Sequence, residues 1–132
     1  MPDKTAAAKE RPLSPHLQVY KPQMTSVMSI LHRATGVFLV LGMLLVTWVL
    51  VAAASGPESF EAAMDCLTSP LGQIALLGWT ASLYYHMCNG VRHLFWDMGY
   101  LFKLENAFRA GWLVLFSTAA LTAATWYWAY YQ

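Results

Sequence analysis

At 132 residues the chain is one domain at most, and 58% of it is apolar with only 11% charged, against roughly 25% charged in an average soluble domain. A soluble domain this small has much surface and could not cover it with so few charges, which leaves an integral membrane protein. A net charge of +1 with no basic stripe excludes nucleic acid as a partner.

Residues 1–25 are polar, and Pro2, Pro12, Pro15 and Pro22 discourage a long helix, so they read as an arm on the soluble side. Residues 26–132 read as an all-α membrane domain of three transmembrane helices, at about 27–55, 70–98 and 109–131. In the first, the run Val37–Ala54 is uninterrupted and apolar over 18 residues, roughly 27 Å of helix and close to the bilayer core. A signal peptide has an apolar region of about 7–15 residues, so Ala52-Ala53-Ala54 is not read as a cleavage site. Ser55-Gly56-Pro57 ends this span, and a loop follows. Ser69-Pro70 supplies a cap and first turn for the second span, which runs to Asp97. The last turns of the third carry Trp126, Tyr127, Trp128, Tyr130 and Tyr131, an aromatic belt for the membrane–water interface.

The cations set the orientation. Lys4, Lys9, Arg11, Lys21 and Arg33 precede or enter the first span, and Arg92, Lys103 and Arg109 surround the connection between the second and third. The first connection has none and carries Glu58, Glu61 and Asp65 instead. All 8 positive charges thus fall on one side, which places the N-terminus inside and the C-terminus outside. Cys66 in the first connection and Cys88 in the second span lack CxxC spacing, so they read as two unpaired thiols.

Ionisable residues at membrane depth are expensive and mark candidate sites. Ser29, His32 and Arg33 enter the membrane at the inner side of the first span, while His86, Asn89, Arg92, His93 and Asp97 occupy the inner half of the second. His86, Asn89, Gly90, His93 and Asp97 share one helical face, extended backwards by Ser82, Trp79 and Gly78. Close helix packing through Gly78, Ser82 and Gly90 explains the small residues but not two histidines and an arginine. A membrane histidine can be a proton relay, a satisfied structural group or a metal ligand. Haem ligation suits His86, since Gly90 and Ser82 leave room for a flat macrocycle and Arg92, His93, His32 and Arg33 lie inward, where propionates need cations. His93 is two turns along the same helix, roughly 10 Å away, and cannot share an iron with His86. His32 sits near the interface, where a propionate contact suits it better, so a second ligand falls to another chain. Ser29 and Arg33, four apart on one face, could grip a carbonyl of a lipid-soluble ligand. The plainer alternative is a capping serine with an arginine that snorkels.

Two stretches, Arg11-Pro-Leu-Ser-Pro-His-Leu-Gln-Val-Tyr20 with Ser29-Ile-Leu-His-Arg-Ala-Thr-Gly36, and His86-Met-Cys-Asn-Gly-Val-Arg-His-Leu-Phe-Trp-Asp97, closely resemble the cytochrome b556 family of succinate dehydrogenase membrane anchors, in respiratory complex II. The resemblance covers about residues 11–131 and departs from the commonest pattern at Cys88-Asn89, where apolar residues are more usual. It implies half of a helical bundle, completed by a second membrane-anchor subunit, beside an iron–sulfur subunit and a flavoprotein subunit. It implies haem b with His86 as one axial ligand and the partner anchor supplying the other. Ser29 and Arg33 would line the ubiquinone site, His32 and Arg33 would lie by the propionates, Arg92 and His93 would support, and Asp97 would make a contact at the inner surface. Succinate oxidation would belong to the other chains. The first motif looks like the alphaproteobacterial and mitochondrial branch, and the absence of an Arg- and Ser-rich transit peptide points to a bacterial inner membrane. A haem-free structural anchor and a menaquinol-linked fumarate reductase anchor are the rival expectations.

Overall fold

The computed structural model describes His16 and residues 19–132. Most of the expected arm, and all of the Arg11–Tyr20 motif except His16, Val19 and Tyr20, lies outside the described residues. Four helices follow one another, α1 Met24–Ser55, α2 Pro57–Thr68, α3 Pro70–Asp97 and α4 Leu104–Tyr130, with no strand among the described residues.

α1 starts earlier than the serines suggest. Pro22 is confined to the preceding stretch, Gln23 is extended at φ −95° and ψ 152°, and the helix begins at Met24. Ser29 therefore lies in the second turn and is not a cap. α1 has 32 residues, about 48 Å of helix, longer than the ~30 Å hydrocarbon core. Val37, Val40, Leu44 and Leu50 point away from the rest of the chain and are exposed.

The connection expected as a loop is the helix α2. Gly56 at φ 126° turns the chain, Pro57 occupies the first turn where its missing N–H costs nothing, and Glu58 there complements the positive helix end. Ala62, Ala63 and Met64 then favour helix. Cys66 is thus an exposed residue of α2 rather than of a loop. At the next boundary the Ser69 hydroxyl accepts a 3.2 Å hydrogen bond from the Gly72 N–H, with Pro70 in the first turn of α3. α4 begins at Leu104, not near 109. Glu105 sits in its first turn and pairs with Arg109 one turn on, at 2.6 Å, which supports the extra helical turn.

By length and apolarity α1 and α4 could each cross a membrane. α3 matches them in length at 28 residues but not in apolarity, because of its histidines, Asn89, Arg92 and Asp97. α3 packs against both α1 and α4. Contacts between Met28 and Tyr85, His32 and His86, and Gly42 and Trp79 show that α1 and α3 run antiparallel. The small buried core is Met28, Tyr85 and Val114, one residue from each long helix, with the Tyr85 hydroxyl donating to the Met28 carbonyl at 2.9 Å.

Between α1 and α3 the tightest approach is at Gly42 of α1, not at Gly78 or Gly90 of α3. A Cβ at Gly42 would fall inside the Trp79 indole, whereas one at Gly78 would meet only Phe38 at 3.9 Å and one at Gly90 would meet nothing. Gly42→Ala is expected to push α1 from α3 at a cost of about 1–3 kcal/mol. The thermal midpoint of the solubilised protein should fall, while Gly78→Ala should leave it in place; equal midpoints would show that Gly42 does not set the helix spacing.

Candidate functional site at the seam of α1 and α3

His32 of α1 and His86 of α3 stack face to face, with ring centroids 3.9 Å apart and planes 10° from parallel. The orientation of His86 follows from the backbone of α1. Its Nδ1 lies 3.1 Å from the His32 carbonyl oxygen and 3.3 Å from the Thr35 hydroxyl. A carbonyl only accepts, so Nδ1 carries the proton and Nε2 keeps its lone pair. The Thr35 hydroxyl itself donates to the carbonyls of Leu31 and His32, at 2.8 and 3.0 Å, so it too can accept from His86. Gly36 permits this approach, since a Cβ there would stand 3.1 Å from His86 Cε1.

This is the local geometry of a metal-ligating imidazole, one nitrogen held by a carbonyl and the other available. The Gly90 side of α3 is open, which leaves space for a flat group next to His86. The residues present therefore fit a haem ligated by His86. Because the His32 and His86 rings stack face to face, the two could not both hold one iron, and His32 would border the group rather than ligate it. The stack leaves His32 Nδ1 buried without a hydrogen-bond partner among the described residues.

Around this pair, the His93 ring is 5.2 Å from that of His32 and stands edge-on to Trp96 at 5.0 Å. Arg92 lies over the Trp96 ring at 4.1 Å but turns its fork to α4, where Nη2 donates to the Ala107 carbonyl at 3.0 Å. Asn89 is fully buried and receives a 3.4 Å contact from Arg92 Nη1. The polar face of α3 is thus divided: His86 and His93 look toward His32, while Asn89 and Arg92 form the joint to α4. Asp97 is exposed at the end of α3. On α1, Arg33 Nη2 donates to Ser29 Oγ at 3.2 Å on an exposed surface. The serine that could have been a cap is an arginine's partner instead.

Thr35, Gly36 and Tyr85 carry structural weight that sequence reasoning did not assign. A signal for the first two was available, since they lie three and four residues after His32 and so on its helical face.

Among the described residues the fold is all-helical, with two helices long and apolar enough to cross a membrane and a histidine pair in an inter-helix seam, the features of a membrane-embedded helical subunit. The chain belongs to the succinate dehydrogenase/fumarate reductase transmembrane subunit family, whose model matches residues 7–125. It is similar to the succinate dehydrogenase cytochrome b556 subunit of Rickettsia prowazekii, 40% identical over 117 residues that cover 89% of this chain and 91% of the relative. The cytochrome b556 subunit of Paracoccus denitrificans is 43% identical over 115 residues, 87% of this chain and 88% of its own. The cytochrome b560 subunit of Marchantia polymorpha is 41% identical over 119 residues, 84% and 85% of the two chains.

Proposed function

We propose that the chain is the cytochrome b anchor of a succinate:ubiquinone oxidoreductase in a bacterial inner membrane, working in the respiratory chain and the tricarboxylic acid cycle. Family membership supports the anchor role, and the Rickettsia and Paracoccus relatives support the bacterial membrane. The observation that carries the haem assignment is the His86 ring, with Nδ1 tied to the His32 carbonyl and Nε2 left free. α1, α3 and α4 each cross the bilayer, with the N-terminus inside; the polar residues of α3 are tolerated because they face α1, α4 and a partner anchor rather than lipid.

Haem b, when bound, supplies one-electron redox capacity whose potential follows ligation, burial and nearby charge. His86 would hold the haem iron through Nε2, and the partner anchor subunit would supply the second ligand. His32 and His93 line the inner side of that site, where propionates meet cations, with Arg92 supporting α3 through its joint to α4 and Arg33 close by. Ser29 and Arg33 hold a ubiquinone carbonyl by hydrogen bonding at the inner end of α1. Asp97 contacts a partner at the inner surface, since a carboxylate at a helix C-terminus opposes the dipole and gains from a cation outside the chain. An iron–sulfur subunit delivers the electrons, and succinate oxidation lies with a flavoprotein subunit.

The test is a reduced-minus-oxidised absorption spectrum of the purified complex, taken with its subunit composition. A b-type Soret and α band in a complex with three further chains is the expected result. A complex without those bands would leave a haem-free anchor, and one isolated from a membrane holding only menaquinone would favour the fumarate reductase reading.

A further inference from the structure

A cavity of about 640 Å³ lies between α3 and α4, away from the histidines. Met87, Val91 and Phe95, spaced by four, form its α3 wall, and Ala110, Leu113 and Val114 form much of its α4 wall. His86 and His93 occupy the opposite flank of α3, so the cavity is separate from the seam with α1. Nearly all its lining is apolar except at the end beside the Met98–Lys103 turn, where Arg92, Arg109 and Asn106 stand.

Arg92 there is an incompletely matched charge. It is 4% exposed, its two forked nitrogens reach only neutral oxygens of Asn89 and Ala107, and its Nε has no partner among the described residues. Among the described residues no carboxylate lies within ion-pair distance of it, and Arg109 is matched by Glu105. Two cations against one carboxylate leave this end with a net positive charge, and a buried charge without a counter-ion is costly. An occupant that brings an anion to the arginine end and fills the apolar trough with the rest of itself would answer both features. A free phosphate would satisfy the charge and leave the trough empty. A neutral quinone would fill the trough and leave the charge. The groove is open along one side, and its volume is in the range of a small-molecule site, typically ~300–1,000 Å³; a partner helix laid over it is an outcome that the cross-linking below reads.

We propose that the α3–α4 groove binds one anionic phospholipid, with its phosphate at the Arg92–Arg109 end and an acyl chain along Met87, Val91 and Leu113. The proposal rests on α3 and α4 spanning the membrane, and is independent of haem ligation by His86. Under the inside orientation of the arginines, the lipid belongs to the inner leaflet.

The intact complex in nanodiscs, treated with phosphatidylglycerol or phosphatidylcholine carrying a photoreactive group in the acyl chain, tests it. The expected result is labelling of peptides within 87–95 and 106–117, several-fold stronger for phosphatidylglycerol and displaced by unlabelled phosphatidylglycerol but not by inorganic phosphate. Arg109→Gln should reduce this labelling several-fold and Arg109→Lys should restore most of it. Leu113→Trp, which fills the trough, should remove it. Each variant is compared as assembled complex of checked subunit stoichiometry. Equal labelling by the two lipids, displacement by inorganic phosphate, or cross-linking of a partner subunit into the groove would each overturn the proposal. The absorption spectrum of the same sample reports separately on haem, so the two readings fail by different signals.

Discussion

The complex carrying His86→Phe is expected to lose the Soret and α bands of its b haem completely. Phenylalanine keeps the ring volume and the 3.9 Å stack on His32, but has no nitrogen to offer a metal. The lost hydrogen bonds, from Nδ1 to the His32 carbonyl and the Thr35 hydroxyl, concern groups that α1 can otherwise satisfy or hydrate. Assembly should therefore survive, and the loss should be spectroscopic. The companion variants separate this from general damage. His93→Ala should retain the bands, because seven residues of helix put it roughly 10 Å from His86 along α3. His32→Ala should retain them too, because a ring stacked face to face on the ligand cannot share its iron. A visible spectrum unchanged in His86→Phe would remove His86 as a ligand and leave the haem-free anchor standing.

Much of the candidate site was legible because a membrane makes polar residues conspicuous. His86, His93, Ser29 and Arg33 could be picked out by depth alone, since each is costly where apolar residues cost nothing. Helical periodicity then grouped them by face, but it resolves a face only to a broad arc. It put Asn89 with His86, whereas Asn89 bonds Arg92, which reaches α4, and His86 lies on α1. Which neighbour each flank meets is a tertiary matter that a single helix does not encode. The same limit hid the role of Thr35, whose hydroxyl matters only because His86 arrives from fifty-one residues away. It hid α2 for a different reason. Glu58, Glu61 and Asp65 look like loop residues beside an apolar span, yet with Pro57 at the first turn and alanines following they make a short polar helix. Close packing is only one reading of the small residues on α3, because they signal permission to pack, not the partner that uses it. At Gly42 the partner is an indole; at Gly90 there is open space.

Arg33→Lys is expected to lower succinate:quinone reductase turnover about tenfold, while electron transfer from succinate to a water-soluble acceptor continues. Ser29 sits inside α1 and accepts a 3.2 Å hydrogen bond from Arg33 Nη2. That bond engages one prong of a planar guanidinium on an exposed surface, and the guanidinium has further donors to offer. A lysine keeps the charge, but its single ammonium cannot hold Ser29 and a quinone carbonyl in the same fixed geometry. A hydrogen bond involving a charged group contributes about 1.5–3 kcal/mol, and each ~1.36 kcal/mol is a factor of ten in rate. The retained charge recovers part of this, which places the expected loss near the lower bound. Ser29→Ala, which frees the arginine without removing it, should cost less than Arg33→Lys and act in the same direction. The His86 spectrum should persist in both, because the side chains of Ser29 and Arg33 bond each other and not the His32 carbonyl or the Thr35 hydroxyl that orient that ring. Full quinone reductase activity in Arg33→Lys would sever the pair from the quinone site and return Arg33 to the role of an interfacial arginine.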